Sequence, residues 1–163
     1  SNPEWAFLMD LADILTEESV LYCADVTTKD DLLATLAERA ATRTGHQAGT
    51  IYEALRAREE MGSTGLGNGI AIPHGKLSGL KGVVAVLARL ASPIEFDAVD
   101  DQPVDLVMML LAPHGAGADH LRALALVARV LRTESVVERL RGIDDAAGLH
   151  AVLTQPLTTH QAA

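Results

Sequence analysis

His74 is the residue of this sequence best placed to act as a nucleophile. It follows a proline and precedes a glycine, in the run Ile70-Ala-Ile-Pro-His-Gly75. Proline fixes the backbone that enters the histidine, and glycine leaves room for another molecule to approach the ring. A neutral imidazole is a good nucleophile near pH 7, because its unperturbed pKa is about 6.5. The local sequence leaves two interpretations open: an acceptor histidine, or a histidine that only occupies a turn.

Two further side chains could assist such an acceptor if it binds an anion. His120 follows a Gly-rich loop at the start of a predicted helix, where backbone N–H groups favour negative charge. Arg58 lies near the end of the helix that leads into a second Gly-rich stretch, and a guanidinium matches phosphoryl oxygens well. Taken singly, each is better interpreted as an ordinary polar residue, His120 of a first helical turn and Arg58 of a solvated helix end.

Two nucleotide-binding motifs are excluded by single residues. A dinucleotide fingerprint starting at Gly65 would need glycine at position 70, where the sequence has Ile70. A P-loop ending around Lys76 would need serine or threonine at position 77, where the sequence has Leu77. The Gly-rich stretch 61–69 also precedes a predicted strand, whereas the dinucleotide fingerprint follows one.

Metal and paired-carboxylate chemistry have weak support. A zinc site would need His74, His114 and His120 to converge with Asp119, without any of the familiar ligand spacings. The aspartates between 97 and 105 could supply the carboxylate pair of a hydrolase. Their turn-rich setting favours solvated or turn-forming roles instead. We therefore predict no metal site.

The elements that would position these residues alternate between helix and strand. Apolar spacing predicts helices, and short buried runs predict strands. The helices cover 29–42, 49–60, 120–133, 134–141 and 144–154, and the strands cover 70–72, 82–90 and 104–111. Thr27 or Thr28 can cap the first helix, Gly45 can close it and Asp119 can cap the third. The Gly-rich stretch 61–69 is expected to be a loop.

This order of elements predicts an α/β fold, a single layered domain with a mixed central β-sheet flanked by helices. The chain of 163 residues is long enough for one domain with a sizeable core. We expect that domain to span 8–154, with an N-terminal tail at 1–7 and a C-terminal tail at 155–163. Ser1 and Asn2 could be a remnant of cloning.

Composition limits the partners and the compartment. The net charge of −9 disfavours nucleic-acid binding, which needs a concentrated basic face. The longest apolar runs, 82–88 and 106–112, are too short to span a bilayer. One cysteine, Cys23, allows no disulfide within the chain, as in a reducing compartment. We therefore expect a cytoplasmic protein that neither binds nucleic acid nor inserts into a membrane.

The stretch from Glu59 to Gly75 carries a specific motif. An acidic residue is followed, after six other positions, by an apolar residue and glycine, and then by an apolar-Ala-apolar-Pro-His-Gly run. The matching positions are Glu59, Leu66, Gly67, Ile70, Ala71, Ile72, Pro73, His74 and Gly75. This pattern resembles the phosphorylation site of IIA proteins of the mannitol/fructose class of the bacterial phosphotransferase system. Further similarity at 93–105 and 119–124 extends the resemblance over roughly residues 8 to 153, and Gly62–Gly69 with Pro73–Lys76 looks most like the nitrogen-regulatory branch.

The resemblance implies phosphoryl transfer between proteins. An HPr-like phosphocarrier protein would donate a phosphoryl group to His74. By family position, Arg58 would neutralise the phosphoryl oxygens, and His120 would hydrogen-bond the phosphoryl group or hold the acceptor ring. Thr64 would add a hydroxyl contact. The resemblance implies no metal and no organic cofactor.

A docking surface and three downstream roles follow from the same resemblance. We expect a shallow apolar ring around His74, formed by Met61, Leu66 and Leu77, on which a partner protein docks. The phosphorylated protein could regulate other proteins, as in a nitrogen-type system. It could instead be a sugar-transport component that passes phosphate to a fructose- or mannitol-type IIB protein. A third alternative is a degenerate binding module that is not phosphorylated.

Overall fold

Residues 10–155 are described by a computed structural model, and they form six α-helices and six strands. The helices are α1 (Leu11–Ile14), α2 (Lys29–Thr44), α3 (Ala48–Glu60), α4 (Gly117–Leu131), α5 (Glu134–Arg141) and α6 (Ala146–Thr154). The strands are β1 (Val20–Cys23), β2 (Gly65–Gly67), β3 (Ile70–Ala71), β4 (His74–Leu77), β5 (Val84–Ile94) and β6 (Val104–Pro113). The predicted tail at 1–7, and the tail at 155–163 apart from Gln155, lie outside the described residues.

All six strands belong to one mixed sheet. Its order is β1-β5-β6-β3-β2, and β4 pairs with β6 further along the edge that β3 occupies. Strands β3 and β4 run parallel to β6, whereas β5 runs antiparallel to it. The predicted α/β fold, with a mixed sheet flanked by helices, is confirmed.

The strand β6 is buried on both faces and joins two cores. Val107, Met109 and Leu111 point into a cluster with residues of α2 and α3. The alternate residues, Leu106, Met108 and Leu110, point into a second cluster with α1, α4, α5 and α6. A strand covered on both faces is expected to be a nearly continuous apolar run, and this explains the run from Val104 to Ala112. Within residues 10–155, no helix combines the length and the apolar character needed to cross a membrane.

The structure corrects two expectations about local structure. The 61–69 stretch is not only a loop, because β2 and β3 form a hairpin within and beyond it. Asn68 and Gly69 form the turn with φ values of 57° and 81°, and Asn-Gly is favoured where both central residues need positive φ. Helix α4 begins at Gly117 with Ala116 at the N-cap position, so Asp119 is not its cap. Asp119 instead pairs with Arg122 on the surface of the first turn.

Candidate functional site

His74 begins β4, where it pairs with Leu110 of β6. Its ring is half-buried, and its Nδ1 lies 2.8 Å from the backbone oxygen of Ile72. Because a carbonyl oxygen only accepts hydrogen bonds, Nδ1 carries the ring proton and donates it. The other ring nitrogen, Nε2, then keeps its lone pair and can act as a nucleophile.

His120 of α4 lies against the ring of His74. The two ring centroids are 5.5 Å apart, and the ring planes meet edge to face at 71°. The residue is buried, with 7% of its surface exposed. In the described part of the chain, its Nε2 has no hydrogen-bond partner. Burial lowers the pKa of His120, and electrostatic repulsion from His74, when that ring is protonated, and from Lys76 lowers it further. The second histidine is therefore held neutral beside the first, with one ring nitrogen unpaired.

The alternation of side chains along β4 separates the two faces of the site. His74 and Lys76 point towards α4, whereas Leu77 packs into the cluster of α2 and α3. A Cβ added to Gly75 would lie 3.4 Å from Cβ of Ala54, an ordinary van der Waals distance, so α3 packs directly on this face of the strand. Leu77 is only 4% exposed. The expectation that it belongs to an apolar docking ring is wrong, because the two-residue period of a strand turns it into the core.

Arg58 lies one helical turn after Ala54 on α3. Its Nη1 donates to the backbone oxygen of Gly62 at 2.7 Å, and its side chain is partly exposed. The structure therefore places the guanidinium at the end of α3, where it contacts the following turn rather than His74. The remaining N–H groups of this guanidinium are the ones available to a group on His74.

Thr64 is buried and already hydrogen-bonded. Its hydroxyl donates to the carboxylate of Glu59, and its backbone N–H donates to the same carboxylate at 3.2 Å. A hydroxyl has one proton to donate, so a phosphoryl contact from Thr64 would require the bond to Glu59 to break.

Met61 and Leu66, both predicted to contact a partner, differ in their settings. Met61 is 83% exposed directly after α3. Leu66 is half-buried against the cluster of α4 and α5 and lines a surface cavity of about 450 Å³. The next residue, Gly67, pairs with Ile70 in the hairpin, and Ile70 pairs with Leu106, four residues along β6 from the partner of His74. Four strand residues span about 13 Å, so Leu66 is not next to His74.

Sequence reasoning missed Leu121, which follows His120 and is 70% exposed. Its spacing in the sequence predicts only a place in the apolar stripe of the helix over 120–133. The stripe that is buried consists of His120, Ala123, Val127 and Leu131, and Leu121 faces away from it. An exposed apolar side chain that directly follows His120 in sequence is a candidate for partner contact.

A partly buried ion pair at the end of α3 was also missed. Lys29 Nζ lies 2.9 Å from Oε2 of Glu59, whose side chain is 5% exposed. The same ammonium donates to the backbone oxygen of Phe96 at 3.1 Å and lies 4.4 Å from the centroid of its ring. Glu59 is part of the sequence motif, but nothing in the sequence connects it with Lys29.

The predicted turn-forming role is confirmed for Asp97, Asp100 and Asp101, whereas Asp105 lies in β6 and forms an ion pair. Asp97 and Asp101 have positive φ values of 55° and 57°. Asp100 accepts hydrogen bonds from the backbone N–H groups of Asn68 and Gln102, which lower its pKa. Asp105 pairs with Arg141. Within residues 10–155, no three His, Cys, Asp or Glu side chains are grouped as metal ligands would be.

This arrangement suits group transfer to a ring nitrogen. The nucleophile Nε2 needs no base, because its proton is on Nδ1. The adjacent neutral histidine offers an unpaired nitrogen, and a guanidinium lies on the nearby helix end.

Comparisons with known proteins identify the family to which this chain is similar. Residues 13–155 match the family described as phosphoenolpyruvate-dependent sugar phosphotransferase system, EIIA 2. The chain is 45% identical to the nitrogen regulatory protein of Bradyrhizobium diazoefficiens, over 151 residues that make up 93% of this chain and 99% of that protein.

Solved structures give the same result for the fold. The crystal structure of the nitrogen regulatory protein IIA-Ntr from Neisseria meningitidis has a TM-score of 0.82 at 33% identity, covering 88% of this chain and 99% of that one. The mannitol IIA enzyme of Escherichia coli, solved in complex with phosphorylated mannitol IIB, has a TM-score of 0.70, covering 85% of this chain and 96% of that one. Its identity of 22% supports a common fold alone.

The free energy of unfolding is expected to decrease less at acidic pH in His120→Gln than in the wild type. Because the pKa of His120 is lowered in the folded state, the unfolded chain binds a proton there more readily, and protonation favours unfolding once the pH falls below about 6.5. Urea titrations should show the free energy of unfolding falling more steeply between about pH 7.5 and about pH 5.5 in the wild type than in His120→Gln.

The exposed His114 provides the control. His114→Gln should keep the wild-type slope. Equal slopes in the wild type and both variants would contradict the environment assigned to His120.

Proposed function

The chain belongs to the EIIA 2 family of the phosphoenolpyruvate-dependent sugar phosphotransferase system, and on this premise we propose that it accepts a phosphoryl group on Nε2 of His74. Members of this family carry phosphoryl groups between proteins. The observation that carries the proposal is the hydrogen bond from Nδ1 of His74 to Ile72, which leaves Nε2 as the free nucleophile beside His120.

The proposed transfer is an in-line exchange of one nitrogen–phosphorus bond for another. The lone pair of His74 Nε2 attacks the phosphorus atom of a phosphohistidine on an HPr-like phosphocarrier protein. A bond forms between Nε2 and phosphorus, while the bond to the donor nitrogen breaks and its electron pair stays on the donor ring. Such chemistry depends on positioning and charge neutralisation. Because similar bonds are broken and formed, the transfer is reversible.

His120 and Arg58 have distinct roles in this proposal. A phosphoryl group on His74 would supply the missing hydrogen-bond partner for Nε2 of His120, provided that this nitrogen carries the ring proton. Arg58 would neutralise phosphoryl oxygens with its remaining N–H groups, since a guanidinium fork is well suited to them. No metal and no organic cofactor takes part in the proposed reaction.

A regulatory role is favoured for the phosphorylated protein. The relative at 45% identity is named a nitrogen regulatory protein, and the match covers almost all of both chains. In this role, phosphorylation of His74 determines which target proteins bind, and the single cysteine Cys23 fits a cytoplasmic location.

Two alternatives remain for the same site. As a transport component, the chain would pass the phosphoryl group to a IIB protein, like the mannitol IIA enzyme solved with phosphorylated IIB. As a degenerate module, it would bind partners without being phosphorylated. The juxtaposition of the His74 and His120 rings supports a working acceptor site over the degenerate module.

Incubation with phosphoenolpyruvate, enzyme I and a phosphocarrier protein should add one acid-labile phosphoryl group, measured by intact mass. His74→Ala should not gain it. His120→Ala should be phosphorylated about 10²-fold more slowly, because a preorganised hydrogen-bond donor is lost.

His46 provides a matched histidine control, since it lies between α2 and α3 with Nε2 bonded to Ser78. His46→Ala should be phosphorylated like the wild type. A wild type that gains no mass with several cognate carriers would favour the degenerate module.

The partner surface is proposed to include Met61 and Leu121, the exposed apolar residues that follow α3 and His120. Met61→Asp or Leu121→Asp should raise the KM for the phosphocarrier about tenfold, because a charge in the apolar centre of an interface is desolvated on docking. Circular dichroism should show unchanged folding.

Val99 is the control, because it is 76% exposed in the loop that precedes β6, at the other end of this strand from the partner of His74. Val99→Asp should leave KM unchanged. An unchanged KM in both Met61→Asp and Leu121→Asp would rule out this surface.

A further inference from the structure

We propose that the partly buried Lys29–Glu59 ion pair, acting through Thr64, positions the acceptor ring of His74. The inference rests on the proposed function, since it concerns the same acceptor nitrogen. It assigns a role to Lys29 and Glu59. It also assigns the hydroxyl of Thr64 to the carboxylate of Glu59 instead of to the phosphoryl group. The argument follows a continuous series of hydrogen bonds from the ion pair to the ring.

The carboxylate of Glu59 is the centre of this series. It lies near the C-terminus of α3 with 5% of its side chain exposed. Three donors converge on it: Nζ of Lys29 at 2.9 Å, the backbone N–H of Thr64 at 3.2 Å and the hydroxyl of Thr64. With these three bonds, a buried charge is compensated, and Thr64 is held by both its backbone and its side chain.

Two hydrogen bonds through Ile72 connect Thr64 with the ring of His74. The carbonyl oxygen of Thr64 accepts a hydrogen bond from the N–H of Ile72 at 3.1 Å. The carbonyl oxygen of Ile72 accepts the bond from Nδ1 of His74 at 2.8 Å. Pro73 restricts the backbone of the residue before it to extended conformations, so fixing the N–H of Ile72 also limits where its carbonyl points. The orientation of the ring therefore depends on where Thr64 is held.

Phe96 anchors the other end of the series. Its backbone oxygen accepts hydrogen bonds from Lys29 Nζ at 3.1 Å and from the hydroxyl of Ser63 at 3.2 Å. The start of α2 and the turn before β2 are thus attached to one carbonyl. The turn that carries Thr64 is tied to the fold on both sides, by Phe96 and by Glu59.

Stability alone does not account for this ion pair. The cost of removing two charges from water offsets most of their attraction in a protein interior, so a buried salt bridge is weak support for stability. Fixing a single geometry is a role that such a pair can serve. Here the geometry concerns the one residue that must present a defined ring nitrogen to a partner, and small misplacements of reacting atoms cost large factors in rate.

The test combines ring NMR with transfer kinetics on the full chain. In Glu59→Gln and in Thr64→Val, the fraction of neutral His74 that carries its proton on Nδ1, read from ring ¹⁵N shifts, should fall. Phosphorylation by the phosphocarrier should slow by about tenfold. Thr64→Ser keeps the hydroxyl and should restore both readouts. Asp105→Asn breaks a partly buried pair with Arg141 elsewhere and should leave both readouts unchanged.

The outcomes separate this inference from the proposed function. Folded Glu59→Gln and Thr64→Val proteins with wild-type ring shifts and rates would overturn the positioning role. Slow transfer in Thr64→Val with unchanged transfer in Glu59→Gln would also overturn it, and would indicate a direct phosphoryl contact from Thr64. If Glu59→Gln does not fold, Thr64→Val and Thr64→Ser decide by the same criteria. If even the wild type is not phosphorylated, the proposed function fails, and the ring shifts alone decide the positioning role.

Discussion

The hydrogen bond between Nδ1 of His74 and the backbone oxygen of Ile72, at 2.8 Å, determines what the site can do. An imidazole has two nitrogens with similar nucleophilicity, and exchange of its proton would present either one to a partner. A carbonyl acceptor two residues upstream fixes the proton on Nδ1 and leaves the lone pair on Nε2. The same bond fixes the ring plane, against which His120 packs edge to face. The same hydrogen bond therefore determines which ring nitrogen is the acceptor and how the ring is oriented.

The sheet supports this bond because its edge is interrupted between β3 and β4, next to the residue that accepts the bond. Strands β3 and β4 both pair in parallel with β6, and Pro73 lies between them. Proline has no N–H to donate to a ladder, but its carbonyl accepts from Leu110 at 2.9 Å, which keeps the break attached to the sheet. Helix α3 packs directly on the face of β4 at Gly75. The acceptor is thus held on an edge strand that pairs with the central strand β6, while the apolar residues proposed to meet a partner follow α3 and His120.

Local patterns in the sequence predicted much of this structure. The α/β order, the helix α2 with its cap at Thr28 and its end at Gly45, and the central strands β5 and β6 all follow from spacing and capping. The Asn68-Gly69 turn was predictable from its dipeptide, but the glycine-rich surroundings suggested a loop. Strand β4 was not predicted, because four residues after a proline carry no clear period, and the error about Leu77 followed from that. The Lys29–Glu59 pair joins two helices, and no local pattern contains such a contact.

The most direct test of the central claim is to identify the nitrogen of His74 that carries the phosphoryl group. Protein labelled with ¹⁵N in its histidine rings is phosphorylated by the phosphocarrier protein, and long-range ¹H–¹⁵N correlation spectra are recorded before and after. The account predicts that His74 alone changes covalently, that its Nε2 acquires the shift of a phosphorylated nitrogen, and that Nδ1 keeps its proton. Phosphorylation on Nδ1, or on a different histidine, would contradict it.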